Sequence, residues 1–452
     1  MLSRQAVHLR EIDQAVRFNE PIGPDHPFYT DFSGVRGDFR EKTVYRILNV
    51  DTGNGDFSFD ADLNGFEKKL FFLGGMRGSG KTSELAKYAK NLHRPACFFV
   101  ITCNIEDALD MNDVEYMDVL IFQLEQLTYE LDQLNVRVDA NILVKMKAWF
   151  QQRETEIKAV LKGELGFELG IGTDKPSMLS TLLGVLGNLK VGLQGSRERA
   201  TTIRSSLKNR FSDFAAIFNQ YIEEANLALR QQQLGQEILF IVDGLEKTMS
   251  AEMRRKLIID ESNRLQQIKA YTIFTLPIEL MKERQKINQF STVESFPYVK
   301  IVDRMGMPIE TAFKVFESFV YKRIHPSLFE DTDVVREAIR LGGGSPRELL
   351  RLLEAAAFYA DESSGKLDQD CLLRAARRLA NQAAQYLTQE KLDKLREIHT
   401  DNLQGRPSPF DDLVGEMLED IILMEYNDGS YKRVNPVVEL SDLYQQRVLG
   451  AS

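Results

Sequence analysis

The first 300 residues alternate between short apolar runs and longer stretches in which apolar positions return every three or four residues. The short runs predict buried strands, and the longer stretches predict helices. Strands are expected at Leu70–Leu73, Ala96–Thr102, Glu237–Asp243 and Tyr271–Thr275, with a last one at Phe296–Val302. Helices are expected at Ser83–Leu92, twice between residues 119 and 161, and over residues 197–233. Strands that alternate with helices favour an α/β fold with a parallel sheet.

Beyond Met307 the apolar spacing becomes wholly helical. Four helices are predicted at Thr311–Ile324, Asp331–Leu341, Pro346–Ala360 and Leu367–Leu387, and we interpret residues 305–387 as a helical lid. Two further helices precede an apolar run from Ile421, the turn Asn427-Asp428-Gly429, and a second run from Tyr431. An Asp-Gly pair between apolar runs predicts a β-hairpin. Helices followed by a hairpin predict a small winged-helix-like module over residues 388–452.

Two other segments complete the expected division of the chain. Residues 1–64 contain prolines that interrupt regular structure, so we expect an N-terminal arm and linker there. The α/β core is expected at residues 65–304, with a glycine-rich β insertion at 163–197 around a short helix, Met178–Leu186. The insertion is predicted from alternation at Leu165, Phe167, Leu169 and Ile171 and again at Leu189, Val191 and Leu193. It either packs on its own domain or contacts another subunit, a partner or lipid.

The strongest local signal is the segment Gly75 to Thr82, Gly-Met-Arg-Gly-Ser-Gly-Lys-Thr, which fits the phosphate-binding loop pattern G-x-x-x-x-G-K-[ST] at every fixed position. It stands between a predicted strand and a predicted helix, as such a loop requires. Backbone N–H groups and the helix N-terminus both favour a phosphate there. We expect Lys81 to reach the β- and γ-phosphates of ATP and Thr82 to bind Mg²⁺. The full expected contact set is Gly75, Met76, Arg77, Gly78, Ser79, Gly80, Lys81, Thr82 and Ser83.

Acidic residues follow the third predicted strand, where a nucleotide site needs them. Asp243 ends that strand and is expected to hold Mg²⁺ opposite Thr82, while an N-cap for the next helix is the alternative role. Glu246 is the nearest acid and the candidate base for the attacking water, although it could instead face solvent and pair with Lys247. Thr275, at the end of the next strand, is a candidate sensor of the γ-phosphate. Its alternative is a hydroxyl satisfied by neighbouring backbone.

Two segments outside the strands are further candidates. Arg347 follows Gly342-Gly-Gly-Ser-Pro and therefore stands near a helix start, where a cation is disfavoured unless an anion lies nearby. The anion is either a nucleotide phosphate or a surface carboxylate. Residues 31–37, ahead of the loop, either close over the adenine base or pack on the domain surface.

Composition narrows the classes of function. The 452 residues allow two or three domains, and the formal net charge is −10, so no overall basic field attracts nucleic acid. Residues 366–452 hold eleven Lys and Arg against fifteen Asp and Glu, which favours a protein contact over DNA. Three scattered cysteines and the absence of an apolar stretch of about 18 residues predict a cytoplasmic protein without a membrane span. The five histidines lack metal-binding spacing.

Three motifs carry a family resemblance: residues 72–85 around the phosphate loop, Ile241-Val-Asp-Gly-Leu-Glu-Lys247, and Gly343-Gly-Ser-Pro-Arg-Glu-Leu-Leu-Arg-Leu-Leu353. Together they resemble bacterial AAA-type P-loop ATPases of the STAND and origin-recognition-like groups, over residues of about 65 to 380. The resemblance implies a nucleotide-binding core, a helical lid, often a winged helix, and a sensor role for Arg347. Typical members place Glu directly after the strand Asp, whereas Gly244 stands there in this chain, which implies slow or switch-like hydrolysis.

The function expected from residues and resemblance together is an ATP-binding, ATP-hydrolysing switch. It would form homo-oligomers and control a separate effector or sensor protein, in a context that the resemblance associates with antiphage defence. One alternative is a DNA-binding loader or transposition-type AAA+ ATPase. Another is a nucleotide-binding scaffold without turnover. No arginine finger can be chosen among the arginines that follow Asp243.

Overall fold

The computed structural model describes residues 4–37, 39–53, 56–63, 70–160, 177–248, 250–303, 306–360, 365–427, 429 and 431–450. The strands are β1 Val50–Asp51, β2 Ser58–Phe59, β3 Leu70–Gly74, β4 Phe98–Asn104, β5 Glu237–Asp243, β6 Tyr271–Leu276, β7 Thr292–Ser295, β8 Leu423–Tyr426 and β9 Tyr431–Val434. The helices before β5 are α1 Ile12–Val16, α2 Glu41–Ile47, α3 Lys81–Leu92, α4 Ile105–Ala108, α5 Tyr116–Gln133, α6 Ala140–Val160, α7 Met178–Leu193, α8 Arg197–Lys208 and α9 Phe211–Gln231. Those after β5 are α10 Ala251–Arg255, α11 Ser262–Leu265, α12 Arg284–Ile287, α13 Glu310–Tyr321, α14 Thr332–Leu341, α15 Pro346–Ala357, α16 Gln369–Ala384, α17 Gln389–Leu403, α18 Asp412–Glu419, α19 Pro436–Glu439 and α20 Asp442–Tyr444.

The central sheet has five strands in the order β4-β5-β6-β3-β7, and every neighbouring pair is parallel. β3, which leads into the phosphate loop, therefore lies between β6 and β7, and β6 separates it from β5. Parallel strands end at the same edge of a sheet, so the segments after β3, β5 and β6 meet there. A parallel sheet amid helices, with the loop at the end of β3, is the α/β core of a P-loop NTPase.

Both faces of this sheet are buried, which explains why its strands are continuous apolar runs. Along β3, Leu70 and Phe72 face a core shared with α5, α7 and α9. Phe71 and Leu73 face the opposite side, in a core shared with α2 and α3. Successive side chains of a strand point to opposite faces, so one short run supports both layers.

The remaining elements pack around this core. Helices α13–α16 share a third core with the N-terminal arm, where the N–H of Ala6 donates to the Arg323 carbonyl at 2.7 Å. Helices α17–α20 and the hairpin β8–β9, which we call the C-terminal module, pack into the same core as α5 and α9. The hairpin is antiparallel, with Leu423 opposite Val434 and Tyr426 opposite Tyr431, as predicted from its apolar runs. Asp428 of the predicted turn lies outside the described residues.

Three sequence expectations need correction. The last strand is not Phe296–Val302 but the preceding Thr292–Ser295, because Pro297 has no N–H for a ladder and the chain then turns away from the sheet. Leu189, Val191 and Leu193 belong to helix α7, not to a β segment. The other alternating part of the predicted insertion, Leu165 to Ile171, lies outside the described residues.

The third correction concerns the long helix expected over residues 197–233. The chain breaks at Arg210, whose backbone leaves the helical region at φ −122° and ψ 31°, and two helices result. The break lets Phe211 and Phe214 enter an aromatic cluster on α6, where the rings of Trp149 and Phe214 lie 5.7 Å apart.

Candidate nucleotide-binding site

The phosphate loop connects β3 to α3 in a tight backbone nest. Gly78 and Gly80 have φ of +79° and +95°, the left-handed region that glycine adopts without strain. Helix α3 begins at Lys81, directly after the second of these glycines. The buried Lys81 ammonium folds back over the loop and donates to the carbonyls of Gly75 at 2.9 Å and Met76 at 3.0 Å. The loop thus holds a cation at the position where a triphosphate would lie.

Asp243, at the end of β5, lies beside the start of α3. Its carboxylate accepts a hydrogen bond from the N–H of Gly244 at 2.9 Å. Burial and the nearby Glu246 carboxylate raise the pKa of Asp243, while a hydrogen bond with Thr82 and the Lys81 ammonium act in the opposite direction. The structure therefore brings Thr82 and Asp243 together, as the sequence predicts.

Glu246 lies in the 3-10 turn Leu245–Lys247 that follows β5. Its Oε1 is 3.8 Å from the Lys81 Nζ, and its Oε2 is buried without a hydrogen-bond partner. Burial would raise the pKa of Glu246, but the Lys81 charge and a hydrogen bond with Thr275 outweigh it and lower the pKa. Lys247 pairs with Glu106 instead. Glu246 thus faces the loop and retains one acceptor oxygen without a hydrogen-bond partner.

Thr275 joins the ends of β5 and β6. Its fully buried hydroxyl accepts the N–H of Gly244 at 3.2 Å and also hydrogen-bonds Glu246. The backbone contact is the alternative that the sequence left open. Thr275 also lies close enough to Glu246 to help lower the pKa of that carboxyl.

The oxygen ligands fit Mg²⁺. The Thr82 hydroxyl and the Asp243 carboxylate are hard donors of the type that Mg²⁺ prefers, and the unpartnered Glu246 oxygen can orient a water nearby. Within the described part of the chain, no group of three or more His, Cys, Asp or Glu residues could hold a metal ion. The Thr82 hydroxyl and the Asp243 carboxylate would supply two oxygen ligands and leave the other coordination positions of Mg²⁺ for water and nucleotide phosphates.

The segment before α15 covers the outer side of the loop. Ser345 caps α15 and its hydroxyl donates to the Gly78 carbonyl at 3.3 Å. A Cβ built on Gly78 would come within 2.9 Å of the Arg347 Cβ, so the loop and the start of α15 are in direct contact. The Arg347 guanidinium itself donates to the Asn19 amide oxygen at 2.7 Å. Arg347 thus lies against the loop, but its charge is directed to the N-terminal arm and not to the Lys81 group.

Arg36 of the N-terminal arm is a site residue that the sequence did not single out. It is 3% exposed, and its two terminal nitrogens donate to the carbonyls of Ser79 and Pro297, each at 2.8 Å. Its guanidinium also lies 3.9 Å from the centre of the Phe296 ring. The signal that could have marked it is its place between Gly34 and Gly37, within the segment 31–37 that is a candidate for closing over the base.

A pocket opens beside Gly80, between the arm, the start of α3 and helix α13. Three of its polar atoms are buried without hydrogen-bond partners, namely Thr30 Oγ1, Arg36 Nε and Glu84 Oε1. Burial lowers the pKa of Arg36 to about 10 and that of Arg323, which also lines the pocket, to about 9. Polar atoms left unpaired in a buried site are costly unless a ligand meets them.

Comparisons with known proteins give distant structural matches. No protein-family model and no curated protein matches the chain. Among solved structures, a Walker-type ATPase of Pyrococcus abyssi is similar at 13% sequence identity and a TM-score of 0.38, covering 82% of this chain and 90% of that one. The Orc1 protein of Aeropyrum pernix, solved in complex with DNA, is similar at 14% identity and a TM-score of 0.23, covering 60% of this chain and 77% of that one. At this level of similarity neither match says what this chain does.

Among the described residues, no helix is both long and apolar enough to cross a membrane.

Proposed function

We propose that the protein is a Mg²⁺-dependent ATPase whose nucleotide state regulates a separate partner. The observation that carries the proposal is the convergence of Lys81, Thr82, Asp243, Glu246 and Thr275 at one edge of the sheet. These residues supply a phosphate-binding cation, two metal ligands, a candidate base and a hydroxyl that orients that base. A phosphate-binding loop alone would support binding, and the orientation of Glu246 supports hydrolysis.

In the proposed reaction, Glu246 accepts a proton from water as the water oxygen bonds to the γ-phosphorus. The bond from the γ-phosphorus to the β–γ bridging oxygen breaks, and ADP and phosphate leave. Mg²⁺, which Thr82 and Asp243 would hold, would neutralise phosphate charge during the reaction. Lys81 moves from the carbonyls of Gly75 and Met76 to the phosphates, which offer it stronger, charge-assisted hydrogen bonds. Water is oriented by the same Glu246 oxygen that has no partner within the chain.

The pocket beside Gly80 is the proposed site for the nucleotide base. It adjoins the loop, and its walls come from the arm, from α3 and from α13, so a bound base would contact all three. The unpartnered atoms of Thr30, Arg36 and Glu84 offer both donors and acceptors for a base edge. This assignment gives residues 31–37 the role in base binding that the sequence left open.

The regulatory part of the proposal rests on what the chain contains around the site. The C-terminal module contacts the core next to the phosphate loop: the N–H of Tyr298 donates to the Glu425 carbonyl at 3.3 Å, and the Tyr298 hydroxyl donates to the Arg77 carbonyl at 2.5 Å. A conformational change in the loop would therefore be transmitted to the module through Tyr298. Both hairpin strands are buried against the core, which leaves them little surface for DNA, and the excess of acidic residues over residues 366–452 favours a protein contact. The antiphage context remains an expectation of the family resemblance.

Binding of ATP by Lys81→Ala tests the proposal. Removing a buried cation that meets the phosphates should weaken ATP affinity by about 100-fold or more, measured by isothermal titration calorimetry with Mg²⁺. Lys90→Ala is the matched control, because Lys90 lies on the same helix but is half exposed and pairs with Asp25. Affinity retained in Lys81→Ala would overturn the phosphate-loop assignment.

Light scattering on the same proteins tests the expected homo-oligomer. With a non-hydrolysable ATP analogue, the wild type should form an assembly larger than a monomer, and Lys81→Ala should not. A wild-type monomer with and without the analogue would contradict the oligomeric part of the proposal.

A further inference from the structure

One buried arginine connects the turn that carries Glu246 to the C-terminal module. Arg254, on α10, is 5% exposed. Its Nη1 donates to the Thr248 carbonyl at 2.6 Å, its Nε donates to the Glu279 carboxylate, and its Nη2 donates to Glu419 Oε1 at 2.8 Å. The guanidinium therefore hydrogen-bonds to three segments that are separated in the sequence, at Thr248, Glu279 and Glu419.

The first partner lies directly behind the candidate base. Thr248 follows the turn Leu245–Lys247, and its buried hydroxyl donates back to the Leu245 carbonyl at 3.1 Å. A hydrogen bond to the Thr248 carbonyl thus fixes the end of the short turn from which Glu246 projects. The turn is only three residues long and is not part of a longer helix. The hydrogen bond from Arg254 therefore limits its motion.

The other two partners belong to a packed interface. Glu279 lies in the 3-10 segment Ile278–Glu283 that follows β6, four residues beyond Thr275. Helix α18 lies on that segment, since a Cβ built on Gly415 would come within 3.8 Å of the Glu279 Cα, and Lys282 pairs with Asp412. Glu419, at the end of α18, reaches Arg254 from this docked position.

We propose that Arg254 is a positioning residue that holds the Glu246 turn in its hydrolytic geometry, and that Glu419 makes this hold depend on the docking of α18. The inference rests on the proposed role of Glu246 in ATP hydrolysis. A guanidinium is a planar fork whose donors move together, so losing one partner changes the direction of the other hydrogen bonds. A partner protein that lifts the C-terminal module would therefore slow turnover without touching the phosphate loop.

The test is Glu419→Gln in the full chain. The Glu419 side chain is 48% exposed, so the loss of its ion pair should leave folding nearly unchanged. We expect kcat to fall about 3-fold, as for the loss of a partly exposed charged contact. The KM and the dissociation constant for ATP should stay at their wild-type values, because the loop and Lys81 are not altered. A merely structural contact would not produce this split.

Two further variants complete the design. Glu416→Gln is the matched control, since Glu416 lies one turn earlier on α18 and pairs with Lys391 at 2.7 Å, not with Arg254. It should keep wild-type kcat. Arg254→Lys retains the charge but loses the fork, and we expect kcat to fall about 10-fold. Adding Glu419→Gln to Arg254→Lys should then cause no further loss, because the two residues act through one contact.

Wild-type kcat in Glu419→Gln, or the same fall in Glu416→Gln, would overturn the positioning role. So would an equal loss of ATP affinity, which would point to general damage of the site. Because Glu419 lies outside the phosphate site, these outcomes leave the ATPase proposal standing. That proposal fails separately, if Lys81→Ala retains ATP affinity.

Discussion

The phosphate loop is contacted from two sides that differ in kind. On the sheet side, Lys81 and Glu246 face each other at 3.8 Å, and one Glu246 oxygen has no hydrogen-bond partner. On the arm side, Arg36 is also buried and charged, but both of its terminal nitrogens bond to backbone carbonyls and its face lies on Phe296. The first charge pair retains capacity for a ligand at the loop, whereas the second uses both terminal nitrogens within the chain and leaves only its Nε for the pocket beside Gly80.

This difference indicates that the sheet side takes part in the reaction, whereas the arm side stabilises the fold around the loop. A buried carboxylate with a free acceptor oxygen costs free energy in the absence of a ligand, and such groups cluster at functional sites. A guanidinium whose two terminal nitrogens bond to separate carbonyls instead holds two segments of backbone together. We therefore expect variants on the sheet side to change turnover with little loss of stability, and variants on the arm side to do the reverse.

The largest effect is expected for Glu246→Gln. Glutamine keeps the shape of the side chain but cannot accept a proton, so kcat should fall by about 10²- to 10⁴-fold, the usual contribution of a general base. ATP affinity should stay within about 3-fold of wild type, because Lys81 and the loop still bind the phosphates. Phosphate release and calorimetric titration measure the two quantities.

Glu106→Gln is the control for that variant. Glu106 is exposed and pairs with Lys247, one residue from Glu246, but does not face the loop. Its kcat should equal that of wild type. An unchanged hydrolysis rate in Glu246→Gln would remove Glu246 from the mechanism and favour a nucleotide-binding scaffold without turnover.

The two sides also differ in how well the sequence predicts them. The sheet side follows from local spacing: a phosphate-loop pattern fixes Lys81 and Thr82 on one turn, and an acid three residues after Asp243 must lie near the same strand end. The arm side depends on contacts between distant residues, such as the one between Arg36 and Pro297, which are 261 positions apart. No local residue pattern predicts such a contact. The roles of Arg36 and Arg254 can therefore be identified only in the folded structure.

The errors in secondary structure have a related cause. Leu189, Val191 and Leu193 alternate as in a strand, yet Leu182, Leu186, Leu189 and Leu193 also match helical spacing, and burial of that face decided for the helix. The apolar run Phe296–Val302 has the composition of a strand. The Phe296 N–H still donates to the Gly74 carbonyl of β3 at 2.6 Å, but the N–H groups of Tyr298 and Val299 donate to the Glu425 and Gly344 carbonyls outside the sheet. In both segments the local sequence is compatible with more than one secondary structure, and contacts with distant residues determine which one forms.

The second prediction concerns the arm side. Arg36→Lys keeps the charge but cannot donate to both carbonyls, so the free energy of unfolding should fall by about 2–3 kcal/mol, the cost of one lost charged hydrogen bond. Denaturant unfolding measures it. ATP affinity should fall only as far as the Ser79 carbonyl and its loop become mobile and the proposed base pocket loses the Arg36 Nε donor.

Arg40→Lys provides the comparison for Arg36. Arg40 lies four residues later, is exposed, and donates only to the Gly37 carbonyl at 2.8 Å. Its stability should be close to that of wild type. If Arg36→Lys lost turnover and kept its stability, the division between a chemical side and a supporting side would be wrong.

The smallest effect is expected at Arg347, which stands between the two sides. Burial and the neighbouring Arg77 charge lower the pKa of Arg347, and its guanidinium donates to the exposed Asn19 side chain. A phosphate on the loop would offset the repulsion between the two arginines, so Arg347→Gln should weaken ATP affinity about 5-fold, with no loss of stability. The difference in ATP affinity between Arg347→Gln and wild type should shrink as the salt concentration rises, because this charge is only half buried.

Arg351→Gln, one turn further along α15 and paired with Glu348, should bind ATP as wild type does. Equal affinity in the two variants would assign Arg347 to the supporting side with Arg36.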